Sequence, residues 1–253
     1  MNLSKLFILS IGLLLLFVII IIAILYREGY SFNGHTTDQN QWDFLDKVVY
    51  INLESRPDRR AQIENELYSR IPPEKIIRLD AVYDQHGHLG CSQSHIKALE
   101  MAIQGQWKNV LIVEDDAMWN SYDNGYKRLV ELIKENPTFD VITLGNVGAS
   151  FDSLTGRLYR AQTCTAYLVN NHYFHILHDN FVRGYNELSK IREMTSPDQR
   201  FMHEQQYCVD QYWKVLQPRD NWFIVNPALM IQRPSKSSIV GGVDVDYTSY
   251  FNL

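Results

Sequence analysis

Three consecutive carboxylates, Glu114-Asp115-Asp116, are the residues of this chain whose types and spacing most plainly suggest chemistry. They follow Val110-Leu111-Ile112-Val113, a short aliphatic run that reads as a strand buried on both faces. Like charges held this close repel unless something positive sits among them. A divalent metal answers that need, and clustered carboxylates suit magnesium or manganese better than zinc or copper. In open α/β sheets, ligands bind outside the carboxyl ends of the strands, which is where this cluster falls. The alternative is an acidic turn that is simply solvated.

Other groups extend the chemistry. The first predicted strand opens into Asn52, Glu54, Arg56, Arg59 and Arg60. Guanidinium forks can grip phosphate, although the same residues also suit a charged helix start at the surface. Gly90-Cys91-Ser92-Gln93-Ser94-His95 reads as a helix start, where small residues let backbone amides approach an anion. His95 lies one turn inside, either as a participant or as a structural hydrogen-bonding partner. Asp210, in Cys208-Val209-Asp210-Gln211-Tyr212-Trp213, reads as a helix N-cap or a general base. Gln232 to Ser238 is basic and polar, either a mobile loop over an anionic ligand or a solvated segment. The first strand is followed by no glycine-rich dinucleotide fingerprint, and no phosphate loop occurs, which counts against nicotinamide enzymes and P-loop hydrolases. The net charge of −5 carries no nucleic-acid footprint.

The elements that must position these groups alternate along the chain. Strands are expected at Lys47–Leu53, Lys75–Leu79, Val110–Val113, Asp140–Leu144, Thr163–Val169, Trp222–Val225 and Leu229–Ile231. Helices are expected after Pro57, from Ser92 or Ser94 to Gln104, over Tyr126–Glu135, around Tyr173–His178 and over Val209–Leu216. Alternating strands and helices imply an α/β fold with a mixed, largely parallel sheet.

The amino-terminal part has a different character. Leu6–Tyr26 is apolar almost throughout and carries no charge. About 20 residues at about 1.5 Å each cross a bilayer core of about 30 Å. The apolar run is long for a cleaved signal peptide, so an uncleaved anchor is expected. The chain then divides into a tail over 1–5, a transmembrane signal anchor over 6–26, a polar stem over 27–43 and a globular domain over 44–253. Lys5 before the anchor, against Arg27 followed by Glu28 after it, favours a cytoplasmic amino terminus. The expectation is a single-pass type II protein whose domain faces a lumen or the outside, the ER or Golgi in a eukaryotic or viral setting. Three cysteines are too few for a disulfide scaffold, although two could pair in a lumen.

Taken together, the motifs resemble one family. Val49-Tyr50-Ile51-Asn52-Leu53 with Arg56-Pro57-Asp58-Arg59-Arg60 is similar to the opening motif of the family 25 glycosyltransferases, which include lipooligosaccharide and collagen β-galactosyltransferases. Gly90-Cys91 with Ser94-His95-Ile96-Lys97-Ala98-Leu99 resembles its second motif, and Leu111 to Ala117 its acidic metal motif. Thr165–Val169, Val209-Asp210 and Ile231–Ser235 resemble its later blocks, in order over roughly Lys47 to Ile239. His88 stands where the family has an acidic residue, and Ser237-Ser238-Ile239 lacks the acidic residue of the last block.

The resemblance implies a GT-A-like fold and transfer of galactose or glucose from a UDP-hexose, with inversion. The acceptor would be a hydroxyl on a glycan, a lipooligosaccharide or a collagen-like protein. It implies manganese or magnesium on Glu114, Asp115 and Asp116. It implies nucleotide contacts from Asn52, Arg56, Arg59, Ser94 and Asp115, and catalytic roles for Asp210, Asp116 and His95. The alternative is a membrane-anchored sugar-nucleotide or glycan-binding module that has lost transfer.

Overall fold

A computed structural model describes residues 41–237, 239 and 244–246. The expected anchor and most of the stem lie outside these. Among the described residues no helix is long and apolar enough to cross a membrane. The described residues from Trp42 onward belong to one compact unit.

A six-stranded sheet is its centre. Its strands are β1 (Lys47–Asn52), β2 (Ile76–Asp80), β3 (Asn109–Glu114), β5 (Val141–Phe151), β6 (Leu158–Asn170) and β7 (Trp222–Ile224), in the order β2-β1-β3-β6-β5-β7. Strands β1, β2 and β3 are parallel neighbours, and β5 is parallel to β7. Strand β6 runs antiparallel to both β3 and β5, so it alone opposes the rest. The sheet is therefore mixed and largely parallel, as the alternating pattern requires. A small ribbon joins β4 (Ala117–Trp119) to β8 (Met230–Gln232), and β9 (Ser235–Lys236) pairs with β10 (Asp244–Val245).

The apolar runs are buried because both faces of the sheet are covered. Helices α2 (Gly87–Gln104) and α4 (Phe174–Leu188) cover one face, where Leu99 and Phe181 pack with Val49, Ile112 and Trp213. Helices α1 (Pro57–Tyr68) and α3 (Tyr122–Glu135) cover the other, where Ile63, Leu67 and Leu129 pack with Val48, Leu111 and Val113. Alternate residues of β3 thus serve opposite cores, which explains its unbroken hydrophobicity. Helix α5 (Pro197–Tyr207) and the short α6 (Val209–Tyr212) complete the α-helices among the described residues.

Several expectations are corrected. Helix α2 begins at Gly87 with His86 as its N-cap, so neither Ser92 nor Ser94 caps it. Gly90 and Cys91 lie inside the helix. A Cβ at Gly90 would sit 2.4 Å from the Val82 carbonyl oxygen, so glycine serves close packing of the Val82 loop rather than the approach of an anion to a helix start. Strands β5 and β6 extend well beyond the expected apolar cores. Strand β4 and helix α5 are additions to the expected elements. Helix α5 buries none of its residues and so shows no apolar period, although Ser196 caps it and Pro197 opens it.

Gly145 marks a close crossing. A Cβ there would lie 1.8 Å from the Met230 carbonyl oxygen, and backbone cannot rotate away as a side chain can. Gly145→Ala is therefore expected to destabilise the domain by about 1–3 kcal/mol or more. Urea unfolding measures it; an unchanged midpoint would show that β5 and β8 can separate freely.

Candidate active site

The carboxyl ends of β1 and β3 open onto a cavity of about 370 Å³. Its walls come from the Val82 loop, α2, β6, α5 and the segment after β8, which contributes Ser235, Ser237 and Ile239. Register explains what meets there. Ile51 is paired with Glu114, so the next residues, Asn52 and Asp115, fall side by side. Val113 is paired with Ala166 of antiparallel β6, which brings Thr163 and Cys164 to the same end.

Each carboxylate has a different environment. Asp115 is fully engaged: Asn52 Nδ2 donates to one oxygen at 2.8 Å and Arg59 to the other at 2.9 Å. Asp116 lies 3.2 Å from the same guanidinium and accepts from Gln232 Nε2 at 3.3 Å. Its Oδ1 is buried and has no hydrogen-bond partner among the described residues. Glu114 is more exposed and approaches His95. One guanidinium cannot neutralise three carboxylates. Burial, with the Glu114 charge adding to it, pushes Asp116 up to about 7. Burial also raises Asp115, while Arg59 and Asn52 pull it back.

Arg59 is buried, and its contacts account for its place in α1. Besides the two aspartates it donates to Ser235 Oγ at 2.5 Å and to the Lys236 carbonyl at 3.0 Å. It therefore ties the segment after β8 to the acidic cluster. Arg56 is directed elsewhere: it pairs with Asp58 at 2.8 Å, reaches the Lys236 carbonyl, and is not part of the cavity wall. Asn52 is buried behind the wall, donating to Asp115 and accepting from Arg78.

On α2, Ser94 donates to the Gly90 carbonyl at 2.7 Å and accepts from the Val82 amide at 2.9 Å. It fastens the Val82 loop to the helix. His95 is buried between Tyr167, whose hydroxyl is 2.7 Å from Nδ1, and Glu114, 3.4 Å from Nε2. Burial holds the Tyr167 hydroxyl well above its usual range, so it stays neutral.

Asp210 sits in the first turn of α6, but Cys208 is that helix's N-cap. The N-cap reading of Asp210 is thus corrected. Its carboxylate instead accepts from the Thr163 amide of β6 at 3.0 Å. Thr163 has φ +72°, a left-handed conformation that is costly for a β-branched residue. That backbone turn aims the amide at Asp210. Burial raises the Asp210 carboxyl, while the Thr163 amide and Lys214 lower it.

The structure thus brings Glu114, Asp115, Asp116, Arg59, Ser94, His95 and Asp210 to one cavity, with Asn52 behind it and Arg56 outside its wall. Thr163, Gln232 and Tyr167 are participants to which sequence reasoning gives no individual role, although Tyr167 and Gln232 fall within the later motif blocks. Cys91, Cys164 and Cys208 all line the cavity and form no disulfide.

No family model matches the sequence, and no curated protein matches it. Among solved structures the chain is similar to a mannose-1-phosphate geranyltransferase from Thermus thermophilus, with 11% identity, a TM-score of 0.44, and 71% of this chain and 72% of that one covered. It is similar to a glycosyltransferase involved in the glycosylation of the major capsid of PBCV-1, with 15% identity, a TM-score of 0.43, and 74% and 92% covered. It is also similar to a nucleoside-diphosphate-sugar pyrophosphorylase from Vibrio cholerae, with 11% identity, a TM-score of 0.39, and 78% and 81% covered. At these scores the likeness carries no argument about what this chain does.

Proposed function

We propose that this chain transfers galactose or glucose from a UDP-sugar to a hydroxyl acceptor, with inversion, in the manner of the family 25 glycosyltransferases that its motifs resemble. One observation carries the reading. An under-neutralised carboxylate cluster, with an unpartnered buried oxygen on Asp116, shares a cavity with the separate carboxylate Asp210. The unpartnered oxygen and the all-oxygen donor set fit a hard divalent cation.

Glu114 and Asp116 would hold that ion, manganese or magnesium. When bound, it supplies positive charge for the diphosphate that leaves as the glycosidic bond breaks. Asp115, clamped by Asn52 and Arg59, sets the direction of its neighbours instead of reaching outward. Asp210 takes the proton from the acceptor hydroxyl as the new bond forms. Its raised pKa makes it a better base than an ordinary aspartate, provided it is ionised. Ser94 and His95 brace the wall. Leu6–Tyr26 anchors the domain to a membrane in this reading, with the cavity on the lumenal or outer side.

The deciding experiment follows UDP release from a panel of UDP-sugars with manganese, with and without chelator. Chelator-sensitive release from one sugar is the expected result. UDP binding without release from any sugar would instead favour a sugar-nucleotide-binding module.

Arg59 offers a separate check. In the resemblance it contacts the nucleotide; in the structure its guanidinium is paired with two buried aspartates. Arg59→Ala is expected to cost about 3–5 kcal/mol at neutral pH, because it strands buried charge. An unchanged denaturation midpoint would return Arg59 to a purely ligand-facing role.

A further inference from the structure

We propose that Cys91, His95 and Glu114 form a binding site for a borderline-soft divalent ion of the zinc or cobalt type, on the wall of the same cavity. Cys91 and His95 are four residues apart on α2 and so share a helix face. Glu114 at the end of β3 meets that face. One ligand atom from each of the three lies within 4.8 Å of the other two.

Two further distances fit. The 3.4 Å between His95 Nε2 and Glu114 Oε1 is long for a hydrogen bond. It is close to the edge of about 3.3 Å between two ligands at about 2.0–2.1 Å from one tetrahedral zinc. On its other side, His95 Nδ1 lies 2.7 Å from the hydroxyl of buried Tyr167. A ligating histidine is ordinarily fixed by such a partner at its second nitrogen, which leaves Nε2 directed at the ion. The Tyr167 ring also stacks on His95, with centroids 5.7 Å apart, so the imidazole is held from two directions.

The donor set is sulfur, nitrogen and oxygen, and it differs in kind from the oxygen-only set of Glu114 and Asp116. Thiolate and imidazole select zinc or cobalt over magnesium or manganese. Cys91 is only partly buried and faces the cavity, so an ion can reach it. On binding, the Cys91 thiol releases its proton to solvent as the metal–sulfur bond forms. Three protein ligands leave the fourth position open toward the cavity. Glu114 belongs to both sets, so a zinc-type ion would compete with the hard ion for one carboxylate.

The test uses the metal-free full chain in detergent, titrated with cobalt. A thiolate-to-cobalt charge-transfer band at one ion per chain, displaced by zinc, is the expected result. Cys91→Ser should abolish the band. His95→Gln should weaken cobalt binding by more than about tenfold, while the paired change Cys164→Ser with Cys208→Ser should keep the band. No band in the unaltered chain, or a band that survives Cys91→Ser, would overturn the site. A second measurement needs no variant: zinc should slow alkylation of Cys91 by more than about tenfold, read by mass spectrometry, and an unprotected Cys91 would also overturn it. Neither readout involves a sugar nucleotide, so failure here leaves the transferase reading standing, and the converse holds too.

Discussion

Asp116→Asn is expected to make the metal-free protein more stable at about pH 8 and to abolish metal-dependent UDP release. The sign follows from linkage. The Asp116 carboxyl lies at about 7 in the folded state against 3.8 for the reference group. The folded state therefore holds that proton more tightly than the unfolded state does. As pH rises from about 4 to about 7 the unfolded chain gives up its proton first, and the native state loses stability relative to it. Above about 7 the loss is complete, on the order of 4 kcal/mol for a shift of this size. Asparagine removes the charge, keeps the shape, and so removes the loss. Urea midpoints of the two proteins should separate at about pH 8 and converge near pH 4. Manganese should raise the midpoint of the unaltered protein far more than that of the variant, since an ion that binds only the folded state stabilises it. Equal midpoints at every pH would show that Asp116 carries no buried charge. Retained metal-dependent release would remove it from the proposed ion site.

Asp210→Asn is expected to lower turnover by about 10²–10⁴-fold while leaving the Michaelis constant for the donor nearly unchanged. That corresponds to about 3–5 kcal/mol of lost transition-state stabilisation. The structure favours a clean comparison. The amide oxygen of asparagine can still accept from the Thr163 amide, so the strained turn keeps its partner. The pH profile gives an independent readout. Because burial raises the Asp210 carboxyl, the rate should fall as pH drops through a value above that of an ordinary aspartate. This acid limb should disappear in the variant at saturating metal. Unchanged turnover would leave Asp210 as a structural acceptor for β6 and nothing more.

These two carboxylates are legible in different ways. Asp116 belongs to a run of three at the end of an apolar strand, a local pattern that sequence alone displays. Asp210 stands out only as a carboxylate among aromatic and aliphatic neighbours and through a loose motif position. The division of labour within Glu114-Asp115-Asp116 is not readable from the chain. It depends on Arg59 and Asn52, which lie 56 and 63 residues from Asp115. Arg59 reads as a phosphate grip because a guanidinium at a helix start has that shape. Folding places two aspartates within its reach before any ligand arrives.

The corrections to the helices have a common origin. A serine cap at Ser92 or Ser94 is the local signal for a helix start, yet α2 begins earlier, at Gly87; at Gly90 the Val82 loop presses against the helix where a side chain would clash. Helix α5 escapes a sequence reading because none of its residues is buried, so it lacks the apolar period that marks a helix. Both α5 and the segment after β8 nonetheless form part of the cavity wall.

The sequence by itself determined the alternation of strands and helices, the two-sided burial of β3, and the acidic run at its mouth. These follow from the hydrophobicity and charge of residues close together in the chain, which act whatever the rest does. Only the tertiary structure decided which carboxylate is clamped and which keeps an open oxygen, that Asp210 leans on Thr163, and that His95 faces Glu114. Those facts arise from sheet register and helix packing, which bring together residues dozens of positions apart, and no local pattern encodes such a meeting.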